Sequence, residues 1–242
     1  KDLKVKAIPN VVMLCGEEQY LVEWAAKQLI DTFINKACES LDFTKLDSAG
    51  LTVDKIKESC ETLSMLSERR VVLLPEFPPA LGQKLKGFSE NDEKEFLDYI
   101  SQLPETCLLI ITAQAPDGKN KKRSKIQTAV GKYGKVYDFG PLSGAQLRSF
   151  IAKRFKGAGK LCRNSVIDLL IQAGKDIEYN LYNLENDIKK IIAHSNGDEI
   201  LSSDVALTIS TNLETNVFAM LDAVSRNRKD EAYRLLHNLM VS

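Results

Sequence analysis

Short apolar runs alternate with stretches of helical periodicity through the first 140 residues of the chain. The runs predict β-strands at Val11–Cys15, Phe43–Leu46, Val71–Leu74, Cys107–Thr112 and Val136–Phe139. The stretches between them predict helices at Glu17–Lys36, Val53–Leu63, Asn91–Leu103 and Ser124–Tyr133. Mostly apolar strands separated by helices are typical of a parallel sheet that is covered on both faces. The pattern therefore predicts an α/β domain over residues 1–140.

After Gly140 and Pro141 only helical periodicity remains, and no further strand is expected. The helices are predicted at Ser143–Lys156, after a cap at Asn164 or Ser165, at Ile177–His194, and at Val205–Ile209 after a cap at Ser202 or Ser203. This pattern predicts an all-α domain over residues 141–212. Two more amphipathic helices follow Asn216, and two such helices cannot bury both apolar faces by themselves. We therefore expect residues 213–242 to begin a third helical domain that is truncated here.

Composition narrows the class of protein. The 242 residues carry 33 basic and 33 acidic side chains, so the formal net charge is zero, which argues against a nucleic-acid binder that relies on charge alone. No apolar stretch is long enough to cross a membrane, and no secretory signal is seen at the start. The five cysteines include no CxxC pair. We expect a cytoplasmic protein with neither disulfides nor a zinc ribbon.

Enzyme chemistry has little support in the motifs. None of the five Gly-Lys pairs belongs to a GxxxxGK[ST] phosphate loop, and two histidines offer little for a triad or a metal cluster. The first predicted turn instead places Glu17 and Glu18 at the start of a helix, and Pro75-Glu76 follows the third strand. The two carboxylates either complement the helix dipole or indicate a nucleotide fold that has lost its nucleotide site. We expect no catalytic residue, cofactor or metal.

Two loops are candidates for contacts with a partner. In the first, Ser64 and Ser67 bracket Met65 and Leu66, which either anchor the chain in a pocket of another protein or pack in its own core. In the second, a basic run either contacts phosphates or is simply solvated. Its members are Lys119, Lys121, Lys122, Arg123 and Lys125.

The order of these features resembles the delta subunits of bacterial DNA polymerase III clamp loaders. The resemblance is carried by the opening Val11–Leu21, by Leu63–Glu76, by Asp176–Ile192, by the basic stretch before Ile126 and by Asn216-Val217-Phe218. It implies an AAA+-like α/β domain, a helical lid domain and a collar domain that oligomerises the loader. It also implies a subunit that neither binds nor hydrolyses ATP.

The resemblance further implies a role in DNA replication. Such a subunit binds the ring-shaped sliding clamp and opens one interface of the ring, and its apolar anchors fall on Met65 and Leu66, beside Ser64 and Ser67. Its other implied partners are the delta prime and tau/gamma subunits and primer-template DNA, with Lys121, Lys122, Arg123 and Lys125 as candidate DNA contacts. Two alternatives remain open: an ATP-binding AAA+ protein with a divergent loop, and a DNA-binding module that uses the basic run 119–125.

Overall fold

The computed structural model describes residues 8–114, 123–173 and 180–208, with short pieces between 220 and 236. The chain divides into two compact units, Lys1–Pro141 and Leu142–Ser242. Each unit has its own elements and is described by itself.

The first unit alternates strands and helices in the predicted order. Its strands are β1 (Val11–Gly16), β2 (Phe43–Lys45), β3 (Arg70–Leu74), β4 (Cys107–Gln114) and β5 (Lys135–Asp138). Its α-helices are α1 (Gln19–Phe33), α2 (Glu39–Asp42), α3 (Val53–Glu61), α4 (Glu90–Ile100) and α5 (Lys125–Tyr133), and 3-10 turns lie at Lys36–Cys38 and Pro78–Leu81. The short helix α2 and both 3-10 turns were not predicted, because segments of three or four residues carry no periodicity to read.

The five strands form one parallel sheet in the order β2-β3-β4-β1-β5. Strand β1 lies between β4 and β5, with Met13 paired to Ile111 on one side and to Val136 on the other. The chain therefore moves to one side of β1 after the first helix and to the other side after β4. Such a reversal opens a crevice at the carboxyl ends of the strands, where α/β domains commonly bind ligands.

Successive side chains of the central strands point to opposite faces of the sheet, so they contribute to two hydrophobic cores, one on each face. Met13 of β1 faces a layer built from α3, α4 and α5, with Ile56, Phe96 and Ile126 buried there. Leu14 faces the opposite layer, where α1 buries an apolar stripe of Val22, Ala26, Leu29 and Phe33. Burial on both faces explains why these strands are apolar at nearly every position.

The second unit contains α6 (Gly144–Gly157), α7 (Asn164–Ala173), α8 (Leu181–His194) and α9 (Ser202–Thr208). The prediction that strands end at Pro141 is wrong, because β6 (Leu161–Cys162) and β7 (Glu199–Ile200) pair in parallel. Lys160 supports this pair by donating through Nζ to the carbonyls of Ser195 and Gly197, at 2.9 and 2.5 Å. Two-residue strands that pair across 38 positions leave no local signature in the sequence.

Several predictions for this half of the chain lie outside the described residues. They include the start of the predicted helix Ile177–His194, the Asn216-Val217-Phe218 segment and most of the region 213–242. The boundaries at 140 and 212 and the third domain stay predictions. No helix in the described ranges combines the length and the hydrophobicity that crossing a membrane requires.

Candidate partner-binding loop

The loop that joins α3 to β3 exposes apolar side chains. Helix α3 ends at Glu61, two residues earlier than predicted, and Thr62 follows in an extended conformation. Met65 and Leu66 are 72% and 69% exposed, so neither packs in the core. Side chains of this size lose much contact with water when they enter a pocket, which makes them suitable anchors for a partner.

The backbone of this loop is held by a buried carboxylate from a distant part of the chain. Asp42, the last residue of α2, accepts hydrogen bonds from the amides of Met65, Leu66 and Ser67, at 2.6, 3.0 and 2.7 Å. These bonds, the one from Met65 above all, hold the pKa of Asp42 well below its ordinary value. The loop therefore presents apolar side chains on a backbone that is fixed from within.

The two serines that flank the anchors also fix the loop. The hydroxyl of Ser64 donates to the carbonyl of Ser67 at 2.7 Å, and the amide of Ser67 donates back to that hydroxyl at 3.2 Å. Both serines were predicted as neighbours of the anchors in a partner contact. In the structure their mutual hydrogen bonds close the turn that carries Met65 and Leu66, and the partner contact stays a prediction.

Arg70 connects the loop to the surrounding elements. Its buried guanidinium donates to the carbonyl of Ser59 in α3 at 2.7 Å, to the carbonyl of Leu41 in α2 at 2.9 Å and to the hydroxyl of Thr44 in β2 at 2.8 Å. Arg70, the first residue of β3, thus connects the strand after the loop to helix α3, to helix α2 and to strand β2.

Sequence reasoning missed two members of the exposed apolar surface. Leu63, 71% exposed, was assigned to the helix before the loop, and Leu41, 48% exposed, precedes Asp42 in the unpredicted helix α2. The signal for Leu63 was the β-branched Thr62, whose extended backbone ends the helix. We call Leu41, Leu63, Met65 and Leu66 the apolar surface of this unit.

The turn at the carboxyl end of β1, unlike the loop after α3, is short and carries two acidic residues. Gly16 ends β1 and Gln19 begins α1, so only Glu17 and Glu18 lie between them. The prediction that both carboxylates lie within the first helical turn is wrong, because they precede it. A turn of this length cannot form the longer glycine-rich loop that cradles phosphates.

Backbone of Phe139, the residue that follows β5, closes this turn. The amide of Glu18 donates to the carbonyl of Phe139 at 3.0 Å, and the amide of Phe139 donates to the carbonyl of Cys15 at 2.8 Å. Gly16 has a φ of 141°, and a Cβ there would lie 2.2 Å from the Phe139 carbonyl oxygen. The amide of Glu18, at the helix start where an anion would bind, is therefore already occupied.

The carboxylate that follows β3 belongs to Glu76, two residues past the end of the strand. Glu76 is exposed, has a φ of 45° and donates its amide to Thr112 Oγ1 at 3.0 Å. Among the described residues, no group of His, Cys, Asp and Glu could hold a metal ion. At the end of β3 the backbone of Glu76 is thus held by the hydroxyl of Thr112.

Part of the predicted basic run lies outside the described residues, including Lys119, Lys121 and Lys122. Arg123 is exposed just before α5. Lys125, in the first turn of α5, is 72% exposed and lies 3.4 Å from Glu93 through its Nζ. An exposed contact of that length leaves the ammonium accessible to another anion.

The sheet order, the helices on both faces and the helical second unit define an AAA+-like protein. The family described as DNA polymerase III, delta subunit, matches residues 13–133, which cover β1 to α5 and the candidate loop. The chain belongs to this family, whose members are components of the replication clamp loader.

Two curated relatives agree with this assignment. The chain is 22% identical over 242 residues to the DNA polymerase III subunit delta of Bacillus subtilis, covering 99% of this chain and 68% of that protein. It is 26% identical to the probable DNA polymerase III subunit delta of Aquifex aeolicus, covering 96% of this chain and 64% of the relative. The chain thus spans about two thirds of the length of these relatives.

Solved structures show the same fold. The Bacillus subtilis DNA clamp loader delta protein superposes with a TM-score of 0.75 at 19% identity, over 99% of this chain and 69% of that one. The Thermotoga maritima RuvB Holliday junction branch migration motor gives a TM-score of 0.52 at 10% identity, over 94% and 72%.

Proposed function

We propose that this chain binds the DNA polymerase sliding clamp through Met65 and Leu66 and opens one interface of the ring, without hydrolysing ATP itself. The observation that carries the proposal is the exposure of both side chains on a loop whose backbone is fixed by Asp42. Membership of the delta subunit family supports it.

The chemistry of the loop favours a protein partner with an apolar pocket. A few buried apolar anchors supply most of the affinity in many protein interfaces, and the unbranched side chain of methionine adapts to irregular pockets. Leu63 and Leu41 widen the apolar surface around the two anchors. The clamp is the partner that fits both this chemistry and the family.

Ring opening would follow from a difference in affinity between two states of the clamp. A ligand shifts a closed–open equilibrium only by the ratio of its affinities for the two states. In this mechanism the anchors dock in a pocket of the clamp, and the surrounding helices fit the interface only in its relaxed, open form. ATP bound to other loader subunits would control when this surface is available.

The turn after β1 supports a subunit without ATPase activity. Its two-residue connection, its paired carboxylates and its contact with Phe139 leave no cradle for a triphosphate at that position. This observation disfavours the alternative of an ATP-binding protein with a divergent loop.

The remaining partners follow from the family. We propose that the chain assembles with the delta prime and tau/gamma subunits through a collar, acts in the cytoplasm, and meets primer-template DNA in the assembled loader. Exposed Arg123 and Lys125 would contribute DNA contacts together with Lys121 and Lys122.

The test is calorimetric titration of the chain with the sliding clamp of its own organism. The double variant Met65→Ala, Leu66→Ala should bind at least about 100-fold more weakly, because each anchor is of the kind that dominates an interface. Leu161→Ala and Leu207→Ala are matched controls, since these leucines are 70% and 73% exposed in the second unit. They should leave the affinity unchanged.

Each outcome has a distinct meaning. Full affinity in the double variant, with an unchanged circular dichroism spectrum, would place the clamp contact elsewhere. Equal affinity for a clamp cross-linked shut at its interfaces and for a free clamp would contradict ring opening while leaving clamp binding intact.

A further inference from the structure

The carboxylate of Asp42 lies at the centre of a loop from which it is distant in sequence. It receives the amides of three consecutive residues that lie 23 to 25 positions further along the chain. An ionised carboxylate has acceptor sites for several donors, and hydrogen bonds to a charged group are stronger than neutral ones. The arrangement draws one turn of backbone around a single buried charge.

This geometry determines where the side chains of the loop point. Because the amides of Met65, Leu66 and Ser67 converge on Asp42, the backbone curls around the carboxylate and the side chains of Met65 and Leu66 project into solvent. Without such an internal acceptor, the amides would need water or another partner, and two large apolar side chains would be free to turn inward.

Asp42 is itself held by the fold. Arg70 donates to the carbonyl of Leu41, the residue before Asp42, and to the carbonyl of Ser59 at the end of α3. The carboxylate is therefore fixed relative to the helix that leads into the loop. The position of the anchors is thus set by buried groups that lie beneath the exposed surface.

We propose that Asp42 is a positioning residue for clamp binding, holding the turn 64–67 in the conformation that displays Met65 and Leu66 before the clamp arrives. The proposal rests on the clamp-binding function proposed above. Ordering a residue's backbone costs free energy, and a loop that is already ordered does not incur that cost at the moment of binding. Asp42 therefore raises the affinity without contacting the clamp.

The experiment compares Asp42→Asn with Asp47→Asn. Asparagine keeps the shape of Asp42 but has one acceptor oxygen, and its amino group would face the loop amides. Asp47 is an exposed carboxylate in the same unit that accepts one amide, from Ala49 at 3.0 Å, so its replacement removes the same charge and a similar contact away from the loop. Both variants are measured at a temperature at which the fluorescence of Trp24, the single tryptophan, reports a folded first unit.

Two readouts are taken, namely amide hydrogen exchange at Met65, Leu66 and Ser67 and the clamp affinity by calorimetry. We expect Asp42→Asn to accelerate exchange at these amides by about tenfold or more and to weaken clamp binding by a similar factor, since an unheld loop must be ordered on binding. Asp47→Asn should change neither. A merely structural role would lower the stability but leave the affinity of the folded variant unchanged.

The outcomes separate this proposal from the proposed function. Unchanged affinity in Asp42→Asn, beside lost binding in the Met65→Ala, Leu66→Ala variant, would overturn the positioning role and leave the clamp site in place. Full affinity in that double variant would instead overturn the clamp site. If Asp42→Asn does not fold, the unaltered chain decides, because exchange of its three loop amides as fast as in an unstructured peptide would overturn the proposal.

Discussion

Two turns of the first unit differ in what they expose. The turn from β1 to α1 is filled by the backbone around Phe139, and its start at Gly16 tolerates no side chain. The loop from α3 to β3 is filled by the carboxylate of Asp42, and it projects Met65 and Leu66 outward. Both turns are satisfied from within, but only the second presents a surface. The difference shows that the group that fills a turn decides what the turn exposes. A backbone carbonyl fills the first turn, and a side-chain carboxylate fills the second.

The contrast also separates two kinds of constraint. At Gly16 a backbone carbonyl approaches so closely that glycine is required for the stability of the fold. At Met65 and Leu66 nothing in the chain's own core requires large apolar side chains, because both are exposed. Neighbouring exposed apolar side chains on one fixed loop are the kind of surface patch that interaction sites use, whereas single exposed apolar residues are common on any surface.

The largest effect is expected when a side chain is forced into the closed turn. Gly16→Ala places a Cβ 2.2 Å from the Phe139 carbonyl oxygen at a φ of 141°. The steric overlap and the backbone strain should together lower the free energy of unfolding of the first unit by about 3–5 kcal/mol. Urea titration followed by Trp24 fluorescence measures this change. Gly131→Ala, in helix α5 with open space around its Cβ, should be neutral or stabilising.

The next effect concerns the support beneath the open loop. Arg70→Met removes three hydrogen bonds and leaves the carbonyls of Ser59 and Leu41 without this donor. We expect a loss of about 2–4 kcal/mol in the same urea titration. Arg123→Met, which changes an exposed arginine of the same unit, should stay within about 0.5 kcal/mol. Equal stability of the two variants would show that Arg70 does not hold the loop to the core.

A smaller, pH-dependent effect follows from Asp42. Its pKa is lowered in the folded state from an ordinary value of 3.8, so its carboxylate stabilises the fold above that value and loses this contribution as the pH falls toward the lower folded pKa. The stability difference between the unaltered chain and Asp42→Asn should be constant above about pH 5 and shrink below about pH 4. Urea titrations across this range test the sign. A difference that grew on acidification would contradict it.

The smallest effect is expected from nucleotide. A fluorescent ATP analogue should give no saturable signal with this chain, since the β1–α1 turn is two residues long and its Glu18 amide is occupied. Replacing Glu17 and Glu18 by alanine should not create binding, because the turn stays short. Saturable binding of the analogue by the unaltered chain or by the alanine variant would show that the β1–α1 turn is not closed to ligands.

Much of the fold was predictable because its central strands, β1, β3 and β4, are buried on both faces. All five strands of the sheet and the four longer helices of the first unit were expected within a few residues of their observed ends. The loop with Met65 and Leu66 was also singled out, but its residues left open whether these side chains are exposed or packed in the core. Leu63 was missed because the predicted helix extended past Thr62, and helix ends are where a periodic pattern weakens.

The residues that hold the loop could not be predicted. In the sequence, Asp42 and Arg70 are simply the residues before the predicted strands Phe43–Leu46 and Val71–Leu74, and no motif distinguishes them. Their partners lie 23 to 25 and 11 to 29 positions away, so their roles depend on how the chain crosses the sheet.

The sequence by itself determined the alternation of buried strands and helices, the lack of a phosphate-binding motif and the position of the loop that carries Met65 and Leu66. These properties depend on residues that are close together in the sequence, because hydrophobic periodicity and motif spacing are local patterns. The tertiary structure decided which carboxylate fills the loop, why Gly16 has no side chain and that β6 pairs with β7. Those features arise between segments far apart in the chain, and only folding brings their hydrogen-bonding groups within reach.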